Sequence, residues 1–506
     1  LRSRAFMARP NRRTILATMA GLLGFACGGP PEEFGTPCDH PRDCARSVCR
    51  ALAPSGADLA PLELSCGPPG GDAELGGACA SQDQCRQGFC SLAGACVAPC
   101  AGPDDCASGA RCRTVWARTG PDALQLHAAC VPRTRVPDAV RVRPVSAPPL
   151  GGGASTRLAV QSRAVALTAF FEVDFPADQA IRIDAVRGGT APRVQTLFSS
   201  EAVLRGESPR SAANLGGNPA SWRFPNGDGA TNEERFELVL SAGRPDLWTD
   251  QRVESLDVLV LERDAFGSRL ELDVFDVDAG LDEPTAPRID VALDFAEDLL
   301  GPDLRFGTIR RFQVVGATAE RLGVVDLPVS RRREESDAIE EGELRQLFRL
   351  GAGGDRPALP VFLVRDLGPA LGISGGIPGT AVLPGTGDSG IAVSVGAVDD
   401  AVRSGLIDGA DAERLLGVVL AHEIGHHLGL FHTTEPNGIS LDALDDTPFC
   451  VPDPYDADQN GRLSPEECAG AGADNLMFYN PPLRDPARIR LTPGQRAVLQ
   501  QSMLLH

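Results

Sequence analysis

Lysine is missing from this chain of 506 residues; all 48 basic side chains are arginine, a pattern of coding bias rather than of function. Positive charge is short as well. Against 68 acidic residues it leaves a formal net charge of −20, which excludes nucleic acid and anionic membrane surfaces as electrostatically held partners. Long apolar runs are lacking. The stretch from Thr14 to Ala26 falls short of the ~20 residues that a bilayer-spanning helix needs, and no later stretch supplies one. Paired C-x2-C knuckles with interleaved histidines are absent from the cysteine-rich region, which argues against a zinc finger there. Histidine is the most informative scarcity. Only seven occur, yet His422, His426, His427 and His432 fall within eleven residues of one another.

At ~150 residues per domain the length suggests roughly three domains, and an apolar content of 42% is enough for a sizeable core. Twelve of the 15 cysteines lie between Cys38 and Cys130. Such density implies a disulfide framework made in an oxidising compartment. The beginning of the chain agrees with export. Met7 opens a basic stretch, Thr14 to Ala26 is a short apolar core, and Leu23-Gly24-Phe25-Ala26-Cys27 leads into Gly28-Gly29-Pro30. Residues 1–27 therefore read as a signal segment. They resemble a bacterial lipoprotein signal in which Cys27 carries the lipid; plain cleavage after Ala26 is the alternative. Setting Cys27 aside leaves 14 cysteines, an even number suited to complete pairing.

Residues 28–135 hold an internal repeat. Cys38, Cys44, Cys49 and Cys66 form one set, Cys79, Cys85, Cys90 and Cys96 a second, and Cys100, Cys106, Cys112 and Cys130 a third. Each unit is too small to bury a core, so two disulfides per unit must hold it; the repeats read as a spacer, with a surface-binding module as the alternative. Residues 136–155, rich in Pro, Arg and Gly, read as a linker. Over residues 156–285 the apolar period is two, as in Phe236, Leu238 and Leu240, then Leu256, Val258 and Val260, then Leu270, Leu272 and Val274, with a turn signal at Asn226-Gly227-Asp228-Gly229. This predicts an all-β sandwich. Asp273, Asp276 and Asp278 read as a solvated strand face, with calcium ligation as the alternative. Residues 286–506 read as mixed α/β. Strands are expected at Ile289 to Leu293, Leu359 to Val364 and Gly390 to Val395, a helix at Asp303 to Leu322, and a final helix capped by Thr492 with Pro493 at its first position and Gln495 at its third.

The histidine cluster sits at the end of a helical pattern running from Ala410 to Leu430. His422 and His426, four apart, project from one face and can share a Zn²⁺ ion at ~2.0–2.1 Å each. Glu423, turned by ~100° from His422, can reach a water on the metal without ligating it and take its proton. Gly429 permits the left-handed turn that ends the helix, after which His432 can complete three protein ligands. His427 points away from that face and is expected to pack rather than ligate.

This H-E-x-x-H-x-x-G-x-x-H segment resembles the signature of the metzincin clan of zinc metallopeptidases, which adds a downstream methionine turn. In Asn475-Leu476-Met477-Phe478-Tyr479 the methionine lies 45 residues beyond His432. The resemblance implies a zincin-like catalytic domain, with Met477 beneath the zinc and the Tyr479 hydroxyl stabilising the oxyanion of the tetrahedral intermediate. Within the clan the chain is similar to the pappalysins, through Leu428 to Thr433, Asp446-Thr447-Pro448-Phe449-Cys450 and the Asn-x-Met-x-Tyr form of the turn. The resemblance spans Ile289 to His506; Phe478 departs from it where a small or acidic residue is expected. It also implies that Gly390 to Val395 is the edge strand that pairs with an extended peptide.

Between the third histidine and the methionine turn, Asp456 to Glu467 matches a twelve-residue EF-hand loop. Asp456, Asp458, Asn460 and Ser464 would offer side-chain oxygens, Arg462 its carbonyl, and Glu467 a bidentate carboxylate, so Ca²⁺ is expected as a second cation. Cys450 and Cys468 bracket the loop and are expected to pair. The whole reads as an exported zinc-dependent endopeptidase acting on protein or peptide, held to the membrane at most by the lipid on Cys27. The alternative is a surface adhesin whose metzincin-like domain no longer cleaves.

Overall fold

The structure is a computed structural model that describes residues 36–506, apart from 39–40, 46, 52–63, 119–123, 148–155, 163, 174–179, 189–194, 202–211, 214–219, 225–234, 244–255, 280–285, 315, 328–329, 333–338, 353, 441, 443 and 482–487. The signal segment with Cys27, and the turn at Asn226 to Gly229, lie outside the described residues. The chain is multidomain and mostly β-sheet. No helix among the described residues is long and apolar enough to cross a membrane.

Each cysteine set closes in the same order, first to third and second to fourth: Cys38–Cys49 with Cys44–Cys66, Cys79–Cys90 with Cys85–Cys96, and Cys100–Cys112 with Cys106–Cys130. Spacing alone leaves this connectivity open. The region is not a free stalk. Leu92, Ala93 and Trp116 share an apolar cluster with Phe275 and Phe362 of the C-terminal sheet and with Phe348 of the helix Glu343–Phe348, and Trp116 Nε1 donates to the Gln346 carbonyl at 3.2 Å.

Two antiparallel sheets follow. Their strands are β1 (Val140–Ser146), β2 (Thr156–Gln161), β3 (Ala166–Val173), β4 (Ala180–Gly188), β5 (Gln195–Ser199), β6 (Ala212–Ala213), β7 (Ala220–Phe224), β8 (Arg235–Gly243) and β9 (Leu256–Arg263). One sheet has the order β5-β4-β8-β2 and the other β6-β7-β3-β9-β1. Strand β1 falls where a linker was expected, within residues 136–155: it pairs along β9 from Val140 against Arg263 to Ser146 against Asp257. Its alternation of arginine and valine was masked by Pro144. The five-stranded sheet is covered on both faces. Leu167, Ala169 and Phe171 point into the sandwich core, while Ala166 and Phe170 pack with the C-terminal region.

The C-terminal sheet takes in β10 (Arg269–Val277), β11 (Arg305–Val314), β12 (Leu359–Val364), β13 (Gly372–Ser374) and β14 (Ile391–Ser394), in the order β11-β10-β12-β14-β13. All neighbours are parallel except β13, which runs antiparallel to β14. Leu270, Leu272 and Val274 thus belong to this sheet and not to the sandwich. Strand β10 is buried on both faces, and a period of two cannot say which sheet a strand joins. Ile289 to Leu293 is helical, inside α1 (Ala286–Leu300). Ile289, Ala292, Leu293, Ala296 and Leu300 are buried and Val291 is 47% exposed, the stripe of a helix rather than an alternating strand. Asp303 to Leu322, expected as one helix, divides into strand β11 and α2 (Gly316–Leu322). As an edge strand β11 is only partly covered, so arginines interrupt its apolar alternation. Three further helices bear on the site: α3 (Val395–Arg403), α4 (Gly409–His427) and α5 (Pro493–Gln500). Asp408 caps α4 by accepting from the Asp411 amide at 2.7 Å. Gly417 lets α4 approach α1 closely, because a Cβ there would lie 2.8 Å from the Ala292 carbonyl oxygen.

Asp273 is neither solvated nor arranged with Asp276 and Asp278 as a cation site. It is buried and accepts from Arg310 at 2.8 and 2.9 Å and from Arg356 at 3.0 Å. Asp276 accepts from the Ala279 amide, and Asp278 pairs with Arg365. Removing one partner from a buried ion cluster leaves the others uncompensated. Asp273→Ala is therefore expected to lower unfolding free energy by about 3 kcal/mol or more, measured by denaturant titration; a change within ~0.5 kcal/mol would show that the cluster carries no stability.

Candidate metal centre

Helix α4 delivers His422, Glu423 and His426 to the floor of a cleft of about 600 Å³. Its C-terminus is a Schellman turn: the Gly429 amide donates to the His426 carbonyl and the Leu430 amide to the Gly425 carbonyl, both at 2.9 Å. Gly429 holds φ at +109°, the left-handed region that glycine enters without penalty. The reversal carries His432 back over the helix. The Nε2 atoms of His422 and His426 then lie 3.1 and 3.0 Å from His432 Nε2. Three nitrogens at ~2.0–2.1 Å from a shared tetrahedral ion sit roughly 3.3 Å apart, so the set fits one zinc.

Each ring is fixed through its other nitrogen. His422 Nδ1 donates to the Leu476 carbonyl at 2.7 Å, His426 Nδ1 to the Leu430 carbonyl at 2.8 Å, and His432 Nδ1 to Glu435 Oε1 at 3.0 Å. These bonds put the protons on Nδ1 and turn the Nε2 lone pairs inward. Burial drives His422 down to about 3 and His426 well below the usual histidine range, so both rings are neutral. Burial also pushes the Glu423 carboxyl up to about 8.

Met477 is fully buried under the helix, and a Cβ on Gly425 would lie 2.7 Å from its sulfur. The methionine turn is pinned by Asn475, whose amide exchanges two hydrogen bonds with Gln495 of α5 at 2.8 and 3.1 Å and whose Oδ1 accepts from the Met477 amide at 2.8 Å. Tyr479 lines the cleft with the three histidines, but its hydroxyl donates to the Leu463 carbonyl. Phe478 faces away from the cleft, buried with Cys450, Leu463 and Cys468. His427 is buried on the far side of α4 with Ser374 Oγ 3.4 Å from its Nδ1, and burial holds it down near 3.

The edge strand is β13, not the segment Gly390 to Val395. Strand β14, within that segment, has β12 on one side and β13 on the other. Three residues inside a glycine-rich loop carry too little pattern to read as a strand. Gly372 in β13 runs so close to the helix that a Cβ would meet Glu423 Cγ at 2.7 Å and Oε1 at 2.8 Å. Glu435 was also missed by sequence reasoning; a carboxylate three residues beyond a candidate ligand was its only signal.

Asp456, Asp458 and Glu467 bring their carboxylates within 4.8 Å of one another. The loop folds inward around them: the Asn460 and Gly461 amides donate to Asp456 at 3.2 and 3.0 Å, and the Ser464 amide to Glu467 Oε2 at 2.9 Å. Arg462 follows, its amide donating to Asn460 Oδ1 at 2.7 Å. The Cys450–Cys468 disulfide closes the segment.

No family model matches the chain. Among curated proteins it is similar to an extracellular metalloprotease of Arthroderma benhamiae, 32% identical over 102 residues, which is 20% of this chain and 37% of that protein. It is also similar to extracellular metalloprotease 1 of Coccidioides posadasii, 31% identical over 149 residues, 28% of this chain and 48% of that protein. The chain thus spans less than half the length of the curated relatives it matches. Among solved structures, metalloproteinase-II from Bacteroides fragilis aligns over 65% of this chain at 11% identity with a TM-score of 0.20, too low to speak for a shared fold.

The anchor on His432 is open to test. Glu435→Ala is expected to weaken zinc binding by ~10–100-fold, measured by competition with a chromogenic chelator; unchanged affinity would show that the Glu435 bond does not orient the ring.

Proposed function

We propose that the protein is an exported zinc-dependent endopeptidase of the metzincin type, closest in kind to the pappalysins. The observation that carries this reading is the convergence of three imidazoles beside a buried carboxyl group, on the floor of a cleft bounded by an edge strand. The names of the partial relatives, extracellular metalloproteases, support it.

His422, His426 and His432 would hold the zinc. When bound, it polarises the scissile carbonyl and makes a water acidic enough to be used near neutral pH. Glu423 takes the proton from that water on its carboxylate and later gives it to the departing amine. Its burial raises the proton affinity of the carboxyl, which strengthens it as the base for that water. The edge of β13, which pairs with no further strand among the described residues, would take the substrate as an added extended strand, fixing its backbone next to Glu423. Tyr479 would assist the oxyanion once its hydroxyl lets go of the Leu463 carbonyl. Leu371, Ile373, Ile377, Val418 and Val419 line the cleft, which suits apolar substrate side chains beside the scissile bond.

The loop from Asp456 to Glu467 is proposed to bind Ca²⁺ through Asp456, Asp458, Asn460, Ser464, Glu467 and the Arg462 carbonyl. Leu463 lies inside this loop, so calcium would stiffen the wall that holds Tyr479. Seven disulfides fit an oxidising compartment. A lipid on Cys27 is the proposed tether to a bacterial envelope.

Glu423→Ala is expected to keep a full zinc content by elemental analysis and to cleave casein at least 10³-fold more slowly, an order of magnitude suited to loss of a general base. Cleavage at the wild-type rate would contradict the mechanism. Calcium is expected to raise the melting temperature of the wild type and leave that of Glu467→Gln unmoved; equal shifts in both would place any calcium elsewhere.

A further inference from the structure

A buried arginine of the sandwich reaches the ends of two helices that support the metal centre. Strand β7 alternates, with Trp222 turned into the sandwich core and Ser221 and Arg223 turned toward the C-terminal region. Arg223 is 1% exposed, and the groups that accept its hydrogen bonds are neutral oxygens rather than carboxylates. Its Nη1 donates to the carbonyl of Leu428, the residue that caps α4. Its Nη2 donates to the carbonyl of Val498 in the last turn of α5 and lies 3.5 Å from Gln501 Oε1. Helix C-terminal carbonyls carry partial negative charge, so two helix ends stand in for a counter-ion.

Both helices matter to the histidines. The C-terminus of α4 leads through Gly429 and Leu430, whose carbonyl fixes His426, to His432. Helix α5 holds Asn475 through Gln495, and the Asn475 turn presents the Leu476 carbonyl that fixes His422. The fit is close: a Cβ on Gly429 would lie 2.3 Å from Arg223 Nη1. The same strand also touches the loop that carries β13, with Ser221 Oγ donating to the Pro378 carbonyl at 3.3 Å.

We infer that Arg223 is a positioning residue for the zinc site, joining the ends of α4 and α5 so that His422, His426 and His432 are held at one spacing, and that the β-sandwich is thereby part of the metalloenzyme unit rather than an appended module. This rests on the zinc reading given above.

The test compares zinc affinity, by chelator competition, with the melting temperature of the metal-free protein, in full-length wild type, Arg223→Lys, Arg223→Met and Arg263→Met. Arg263 is the control. It is a second buried sandwich arginine, and it bonds the carbonyls of Ser502 and Leu505 in the C-terminal tail instead of the end of α4. The expected result is zinc binding weakened by ~10-fold or more in Arg223→Met, less in Arg223→Lys, and not at all in Arg263→Met even where that variant melts earlier. Equal zinc affinity in whichever Arg223 variants fold, or failure of both to fold, would overturn the inference and assign Arg223 a general role in stability. A wild type that binds no zinc would instead remove the functional reading on which it rests.

Discussion

Three imidazole nitrogens with their lone pairs turned inward, that of His432 3.1 and 3.0 Å from the other two, repel one another unless a cation lies between them. That arrangement persists only because every other ring nitrogen already has an acceptor. Leu430 supplies one from the turn that ends the helix, Leu476 one from the methionine turn, and Glu435 one from three residues beyond His432. Much of the C-terminal region serves to keep these three acceptors in place. The Asn475–Gln495 amide pair ties the methionine turn to α5, Met477 fills the space under Gly425, and the Cys450–Cys468 disulfide closes the intervening loop.

What the sequence displays is local. The spacing of His422, His426, Gly429 and His432 follows from helix geometry and from the one backbone conformation that glycine takes freely, so the convergence of the rings can be argued without coordinates. The EF-hand-like loop is legible for the same reason, since its donors and Gly461 are contiguous. Groups supplied across long sequence separations leave no comparable trace. The carbonyl of Leu476 is 54 residues from His422, and Arg223 is 205 residues from the carbonyl it holds.

The errors of sequence reasoning have a common physical source. A short alternating run at Ile289 to Leu293 belongs to a helix whose full stripe needs fifteen residues to show. Strands β10 and β9 share one period, yet join different sheets. The segment Gly390 to Val395, which the metzincin resemblance implies to be the edge strand, is covered by β13, a strand of only three residues that leaves little pattern in the sequence. Burial on both faces also hides how the domains dock. The sandwich sheet and the cysteine repeats both bury apolar side chains against the C-terminal region, so neither is a detached spacer.

The central claim, that one zinc sits among His422, His426 and His432, is tested most directly by zinc K-edge X-ray absorption on the purified chain, with metal content measured on the same sample. The account predicts one zinc per chain, three imidazole nitrogens at ~2.0–2.1 Å and one further light-atom ligand. A chain that takes up no zinc, or a spectrum without imidazole scattering or with sulfur near ~2.3 Å, would contradict it.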